Sequence, residues 1–247
     1  TADTSISNGQ LTIGAGQAPG SVLTVTAKYK NKTDSVQLTV TDAVLGYSDI
    51  HSVVPGATTE LTIDGYQWYV LVKDDVDSNA QLEAMIWAKN PVGKEGFATT
   101  SSGHVSNVWE ISHARSWIND TWLPSCSMLS KVAKEIDIYT RESISSTDFI
   151  LTKDTAFLLS EADLSGNFNN QSTSYAKDYT YNGMQLTQNK NMIVNQDLSL
   201  SEYYFLRSPH TISYRAAAVD KNGLIFGGSC NLGNAVGVRP AMWVTFN

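Results

Sequence analysis

Short stretches of alternating apolar and polar residues, each ended by a polar turn, recur along this chain and limit it to strand-rich folds. The pattern is clearest at residues 22–29 and 35–42, which alternate around a turn at 31–34. Alternation of period two marks a strand with one buried face, and two such runs around a polar turn predict a β-hairpin. Ser, Thr and Asn number 67 against 41 charged residues, and these types favour strands, turns and helix caps.

Residues 47–247 predict a second domain in which strands outnumber helices. Nine strands are expected, at 60–63, 66–72, 82–88, 136–139, 156–159, 203–206, 216–219, 224–226 and 238–246. One helix is expected after the capping residue Ser112, with Trp117 and Ile118 on its buried face. A second helix is expected over 125–136, where apolar residues recur at intervals of three and four residues. A short third helix is expected after Ser160, where Ser-Glu-Ala-Asp resembles a capping box.

Composition excludes several classes of protein. With 17 basic and 24 acidic residues the net charge is −7, so a basic patch for nucleic-acid phosphates is not expected. Six Trp, eleven Tyr and seven Phe argue against a disordered chain. No apolar run approaches the length that spans a bilayer, and no leader peptide is expected at the start. Residues 167–199 are rich in Asn, Gln, Ser and Thr, and they predict a long surface loop.

Familiar catalytic and metal-binding patterns are missing. The four histidines, His51, His104, His113 and His210, show no metal-ligand spacing, and neither a G-x-S-x-G elbow nor a phosphate-binding loop occurs. An EF-hand loop starting at Asp75 would need glycine and glutamate where Ala80 and Ile86 stand. We therefore expect no enzyme activity, no metal and no cofactor.

Two cysteines, Cys126 and Cys230, lie about a hundred residues apart and leave open one disulfide or none. Their sequence neighbours are serine and asparagine rather than the basic residues that lower a thiol pKa. Buried, unreactive thiols are the expected state.

The C-terminal forty residues carry the most specific motifs. They contain YYFLRSP at 203–209 and GVRPAMWV at 237–244, and earlier segments add DGYQWYVL at 64–71, VWEISHARSWINDTWL at 108–123 and DTAFLLSEAD at 154–163. Arg207 and Arg239 stand inside these motifs. We expect both to be structural, paired with acidic groups or loop carbonyls.

Together these segments resemble a bacterial and phage family of uncharacterised domains. Tyr204 stands where Trp is usual, His210 where Gly is usual and Met242 where Leu is usual. The resemblance implies an α+β domain of C-type-lectin-like fold over 47–247, from the branch similar to formylglycine-generating enzymes, with two main helices and mixed antiparallel sheets. Residues 1–43, with the pattern LTVTAKYKNKTDSVQLTVTD, resemble the end of a bacterial immunoglobulin-like domain.

Some members of such families resemble the variable proteins of diversity-generating retroelements, in which adenines near the 3′ end of the gene are randomised. Randomised AAC-type codons never encode Met, Trp, Gln, Glu or Lys. The chain has 40 residues of these types, so about four are expected in the 27 residues 210–236, which hold one, Lys221. This depletion indicates a variable segment at about 210–236.

Within that segment, the small or apolar framework of the family it resembles is matched by Ala216, Ala217, Val219, Gly223 and Ile225. Chemically unrelated residues stand between them. The predicted ligand-binding residues are Thr211, Ile212, Ser213, Tyr214, Arg215, Ala218, Asp220, Leu224, Phe226, Ser229, Cys230, Asn231, Asn234 and Ala235. The simpler alternative is an ordinary glycine-rich loop in which Ile212 and Phe226 are buried.

The function implied is that of a receptor-binding or adhesin protein at a bacterial surface or on a phage tail. Its partner would be a cell-surface protein or glycan, without nucleic-acid binding or membrane insertion, and monomer and homo-oligomer both remain open. Two rival functions are an oxidase resembling formylglycine-generating enzymes and a fixed-specificity carbohydrate-binding module. The first needs a reactive cysteine pair or another oxidant site in its substrate cleft, and the second lacks its usual Glu-Pro-Asn or Gln-Pro-Asp motif here.

Overall fold

The fold is described from a computed structural model, whose description covers residues 5–7, 10–12, 22–39, 46–76, 81–98, 106–169, 173–195, 203–230 and 236–246. The chain divides into two units, Thr1–Val44 and Leu45–Asn247.

The described part of the first unit consists of two antiparallel strand pairs. β1 (Ser5–Ser7) pairs with β2 (Gln10–Thr12), and β3 (Val22–Tyr29) pairs with β4 (Lys32–Thr39). The predicted hairpin is confirmed, but its turn is shorter than expected. Lys30 adopts the left-handed conformation at φ 52°, which closes a two-residue turn and lets the second strand begin at Lys32. The predicted strand end at 40–42 lies outside the described residues.

The second unit contains thirteen of the described strands in a mixed α+β arrangement. They are β5 (Glu60–Ile63), β6 (Tyr66–Asp74), β7 (Glu83–Ala88), β8 (Gly93–Glu95), β9 (Ala133–Lys134), β10 (Ile136–Arg141), β11 (Phe149–Asp154), β12 (Phe157–Leu158), β13 (Tyr203–Pro209), β14 (Arg215–Asp220), β15 (Ile225–Ser229), β16 (Val236–Val238) and β17 (Pro240–Thr245). The predicted α+β class is confirmed at this level.

Two larger sheets organise this unit. The first has the order β12-β17-β7-β6-β5, with β9 also paired to β17, and all of its pairs are antiparallel. The second has the order β15-β14-β13-β16-β8, in which only β13 and β16 run parallel. β10 and β11 form a separate antiparallel hairpin. β15 is therefore at one edge of the second sheet.

Helices are few and short. α1 (His113–Ser116) continues through a π-helical stretch, Trp117–Trp122, into α2 (Leu123–Ser125) as one run, and the Ser112 hydroxyl accepts from the Arg115 amide as the predicted cap. α3 (Leu129–Val132), α4 (Glu161–Ser165) and α5 (Lys190–Ile193) follow, with 3-10 turns at Tyr47–Ser52, Trp109–Ile111 and Ala176–Asp178. Ser160 and Asp163 form the predicted capping box of α4.

The predicted second main helix over 125–136 is wrong. Only α3 is helical there, and the Asp64 carboxylate accepts from the amides of Met128 and Leu129 at its start. Ala133 pairs with Val244 instead of continuing the helix, because strand pairing with β17 outweighs a weak helical periodicity. Of the two main helices expected, only the run over 113–125 exists.

Several strand boundaries also differ from prediction. The strand expected over 238–246 is interrupted at Arg239, whose side chain is buried. β16 before it belongs to the second sheet, and β17 after it belongs to the first. β8 and β11 were not predicted. The surface loop expected over 167–199 is only partly correct, because its described part contains α5 and buries Asp178, Leu186 and Met192.

A single aromatic core lies in the second unit. Its largest fully buried side chains include Trp68, Trp87, Trp109, Trp243 and Tyr204. Among the described residues, no helix has the length and apolar character that would span a membrane.

Candidate ligand-binding face

The β14–β15 hairpin is built around one glycine. Asp220 donates its amide to the Leu224 carbonyl at 3.0 Å, and Gly223, at φ 82°, donates to the Asp220 carbonyl at 3.0 Å. This is the three-residue hairpin with a left-handed residue in its final position, which glycine adopts without strain. The Asp220 carboxylate also accepts from the amides of Asn222 and Leu224, each at 2.8 Å. The turn presents Leu224 to solvent on a fixed backbone.

A buried asparagine holds the loop between β13 and β14. The Asn107 side-chain amide donates to the carbonyls of His210, Ile212 and Arg215 at 2.9, 3.3 and 2.8 Å. Asn107 is only 7% exposed, so these carbonyls would lose a buried partner without it. Sequence patterns missed this residue, because it lies about a hundred positions away and matches no motif.

His210 stands at the start of this loop in neutral form. Partial burial and then the charge of Arg215 lower the pKa of the imidazole below its usual value. Nδ1 accepts from the Ile212 amide at 3.3 Å, which requires that nitrogen to be unprotonated. A neutral histidine here helps to shape the loop.

The two motif arginines lie in the scaffold below the hairpin, as predicted. Arg207 Nη1 donates to the Leu158 carbonyl at 2.8 Å and lies 3.2 Å from the Asp163 carboxylate. Arg239 donates to the carbonyls of Ala88 and Met192 at 2.7 Å each. Both arginines are 1% exposed, and these contacts confirm the predicted structural role.

Three large apolar side chains protrude from this hairpin region. Leu224 is 65% exposed, Tyr214 49% and Phe226 37%. Phe226 is anchored by an edge-to-face contact with Tyr203, with ring centroids 5.1 Å apart. Tyr203 in turn contacts Phe205, which is in the core. Three exposed apolar groups on one short segment form an unusual surface for a solvated loop.

The remaining predicted ligand residues divide into three groups. Thr211 and Ser213 are exposed, and Ile212, Arg215, Asp220 and Ser229 are partly exposed. Ala218 and Cys230 are 0% exposed, so a ligand at the surface cannot touch them, and they belong to the scaffold. Asn231, Asn234 and Ala235 lie outside the described residues. Henceforth the term hairpin face denotes the exposed and partly exposed residues of this set, which lie on both sides of the hairpin: Thr211, Ile212, Ser213, Tyr214, Arg215, Asp220, Leu224, Phe226 and Ser229.

Two clefts adjoin the hairpin face, and Ile225 lines both of them. The smaller, about 180 Å³, is lined by Ile225, Phe226 and His210 together with Glu161 and other residues of the facing segments. The larger, about 570 Å³, is lined by Ile225 and Leu224 together with residues 164–165, 185, 188, 190 and 193–194. Part of the polar segment 167–199 therefore lies beside the hairpin.

Both thiols are buried and protonated. Burial raises the pKa of Cys230 to about 12 and that of Cys126 to about 11, and neither cysteine is in a disulfide. Among the described residues, no group of three His, Cys, Asp or Glu side chains is placed to hold a metal ion. His113 pairs with Glu95 at 3.1 Å, whereas His104 lies outside the described residues.

A third cleft, of about 630 Å³, lies away from the hairpin face. It is polar, lined by Asp74, Lys134, Asp137 and Lys153 among others, with Tyr181 and Trp243 at its apolar side. Its charges are largely paired with each other or with neighbours, as Lys134 is with Glu83 at 2.7 Å and Lys153 with Asp137 at 3.3 Å.

Comparison with known protein families matches residues 70–246 to the family described as Domain of unknown function (DUF6273). The match covers most of the chain, and the chain belongs to this family. Searches of the curated proteins and of the solved structures gave no significant match.

Proposed function

We propose that this DUF6273 protein is a non-enzymatic receptor-binding or adhesin protein that acts outside the cell, at a bacterial surface or on a phage tail. The scaffold is proposed to be C-type-lectin-like, and the ligand to be a cell-surface protein or glycan held at the hairpin face. The observation that carries the proposal is the exposure of Tyr214, Leu224 and Phe226 on a backbone fixed from below.

The chemistry of the face supports recognition. Tyr, Phe and Arg are types that anchor protein interfaces, because each buries a large area or makes several hydrogen bonds for little lost side-chain freedom. Arg215 lies with its guanidinium 5.8 Å from the Tyr214 ring centroid, so one cationic and one aromatic group are presented together.

The scaffold beneath the face supports diversification of these positions. Ala216, Ala217, Ala218 and Val219 are all buried, while Arg215 and Asp220 at the ends of the same strand are partly exposed. A side chain that points to solvent can change without disturbing core packing, whereas a buried one cannot. We propose that a diversity-generating retroelement varies the exposed positions and leaves this strand unchanged.

The test compares the native chain with a variant that removes the exposed apolar groups. Tyr214→Ser/Leu224→Ser/Phe226→Ser is screened beside the native chain on a glycan array and on a panel of intact bacterial cells. A matched control, Val54→Ser/Ile111→Ser/Leu151→Ser, removes apolar groups that are 68, 61 and 45% exposed elsewhere in the same unit. We expect binding to be lost in the first variant and retained in the control.

Loss of binding in both variants, or in neither, would contradict the proposal. Each variant is first checked by thermal unfolding. We expect changes of less than about 0.5 kcal/mol per exposed site, and a larger cost of about 1–2 kcal/mol at Phe226, which loses its ring contact with Tyr203.

A further inference from the structure

The backbone of β15 has hydrogen-bonding groups that face away from the sheet. Two hydrogen bonds show which residues of this strand face β14. They run from the Asp220 amide to the Leu224 carbonyl at 3.0 Å and from the Cys230 amide to the Tyr214 carbonyl at 2.9 Å. In an antiparallel pair, every second residue bonds to the neighbouring strand. Leu224, Phe226, Gly228 and Cys230 therefore face β14, and Ile225, Gly227 and Ser229 point their amide and carbonyl groups outward.

Nothing in the described part of the chain pairs with the outward groups of Ile225 and Gly227. β15 ends the sheet order, and no further hydrogen bond is made by either backbone. Ser229 differs, because its backbone lies beside the Tyr203 phenol: burial raises the pKa of that group overall, and the Ser229 backbone lowers it. Ile225 and Gly227 thus each offer one outward amide donor and one outward carbonyl acceptor, and the two residues lie about 7 Å apart along the strand.

The devices by which a strand's own sequence and pairing protect an edge are missing from the described β15. Proteins discourage edge pairing with lysine, proline, bulges or inward-pointing charges. The sequence Ile225–Ser229 contains no charge and no proline, and its pairing with β14 is regular throughout. The two glycines of β15 have no side chains of their own. The His210 ring packs against one face of the strand at Gly227, and the Tyr203 ring packs against the other face at Gly228.

Two clefts adjoin this edge at Ile225, within reach of the side chains of a strand added there. Both are lined by Ile225, and they differ in chemistry. Phe226 and His210 line the smaller, whereas Gln185 and Lys190 line the larger. Strand addition obtains affinity from main-chain bonds and selectivity from pockets for alternate side chains. The edge therefore offers both components.

We propose that β15 binds an extended polypeptide segment of the partner by strand addition, with main-chain bonds to Ile225 and Gly227. This inference rests on the proposed function, and it selects a protein rather than a glycan as the ligand. A glycan has no repeating row of alternating amide donors and carbonyl acceptors to match the edge.

The test uses a displayed library of random peptides long enough to form one strand of about six residues. Peptides are selected on the immobilised full chain, and each selected peptide is then synthesised with a single N-methyl group at successive positions. Strand addition predicts a loss of about tenfold or more at alternate peptide positions, where an edge bond is removed, and a much smaller loss at the positions between. Hydrogen exchange should also show protection of the Ile225 and Gly227 amides on binding.

The outcomes separate this inference from the proposed function. If binding needs Tyr214, Leu224 and Phe226 but the N-methyl scan shows no alternation, the hairpin face stands and strand addition is overturned. If selected peptides bind equally well to the triple serine variant, the hairpin face itself is overturned. Failure to select any peptide, a glycan that binds the face alone, or a homodimer in sedimentation that protects β15 amides would each overturn binding of a partner's strand.

Discussion

Replacing Arg239 by lysine should destabilise the second unit strongly, although the charge is kept. The guanidinium donates to the carbonyls of Ala88 and Met192 at 2.7 Å and of Ile193 at 3.3 Å, and it lies 3.5 Å from the Trp87 ring centroid. The side chain is 1% exposed, and burial lowers the pKa of the guanidinium. Its charge is therefore held by carbonyl dipoles and aromatic faces.

The magnitude follows from the contacts that lysine cannot make. One ammonium group can keep one of the three carbonyl bonds, so two charge-assisted bonds are lost, at about 1.5–3 kcal/mol each. Loss of the flat contact with Trp87 adds to this, and local relaxation offsets part of it. We expect a cost of about 4 kcal/mol, a large share of the 5–15 kcal/mol that is usual for a folded domain.

Urea unfolding followed by tryptophan fluorescence measures this cost. All six tryptophans lie in the second unit, so the signal reports on that unit alone. The midpoint for Arg239→Lys should fall while the m-value stays constant. Arg215→Lys is the control, because this half-buried arginine is expected to lose less than about 1 kcal/mol. A cost for Arg239→Lys as small as that of the control would refute the reasoning.

Three further predictions concern the same hairpin region and the thiols. Asn107→Ala should cost about 2–3 kcal/mol and speed hydrogen exchange in the β13–β14 loop, because buried carbonyls lose their donor. Gly228→Ala should cost about 1–3 kcal/mol by thermal unfolding, since the new Cβ would lie 2.6 Å from a ring carbon of Tyr203. Cys126 and Cys230 should label far more slowly than an exposed thiol at pH 7 to 9, with a rate that rises about tenfold per pH unit and does not level off, because their pKa values are about 11 and about 12.

Each of these predictions has a clear opposing result. Unchanged exchange in the loop of Asn107→Ala would show that the three carbonyl contacts do not hold it. Gly46→Ala is the control for the glycine, because its Cβ would meet nothing closer than 3.9 Å, and equal costs would remove the steric explanation. Rapid labelling of either folded cysteine, with a rate that follows an ordinary thiol pKa near 8.5, would favour the oxidase alternative.

Local patterns predicted the strands better than the helices. Alternation and apolar runs located β5, β6, β7, β13 and β14 to within a few residues. The helix expected over 125–136 failed because the chain from Ala133 onward forms strands β9 and β10 instead, and β9 depends on pairing with distant β17. Periodicity alone carries no information about such a partner.

The same limit applies to the candidate site, which the sequence predicted only in part. The motif arginines and the exposed Tyr214, Leu224 and Phe226 were found from sequence, because motifs and misplaced apolar residues are local signals. Burial of Ala218 and Cys230 depends on the packing of Tyr203 and of other strands. The clamp by Asn107 and the clefts beside Ile225 are contacts between segments far apart in the chain, and only the fold brings them together.

The most direct test of diversified recognition is to sequence the DNA that flanks the gene. The proposal predicts a near-copy of the segment that encodes residues 203–246, beside a reverse transcriptase gene. Its mismatches should fall at adenines and at codons for exposed positions such as Tyr214, Leu224 and Phe226, and they should spare the buried strand 216–219. Absence of any such copy, or mismatches concentrated in the codons of that buried strand, would contradict the claim that this face is diversified for binding.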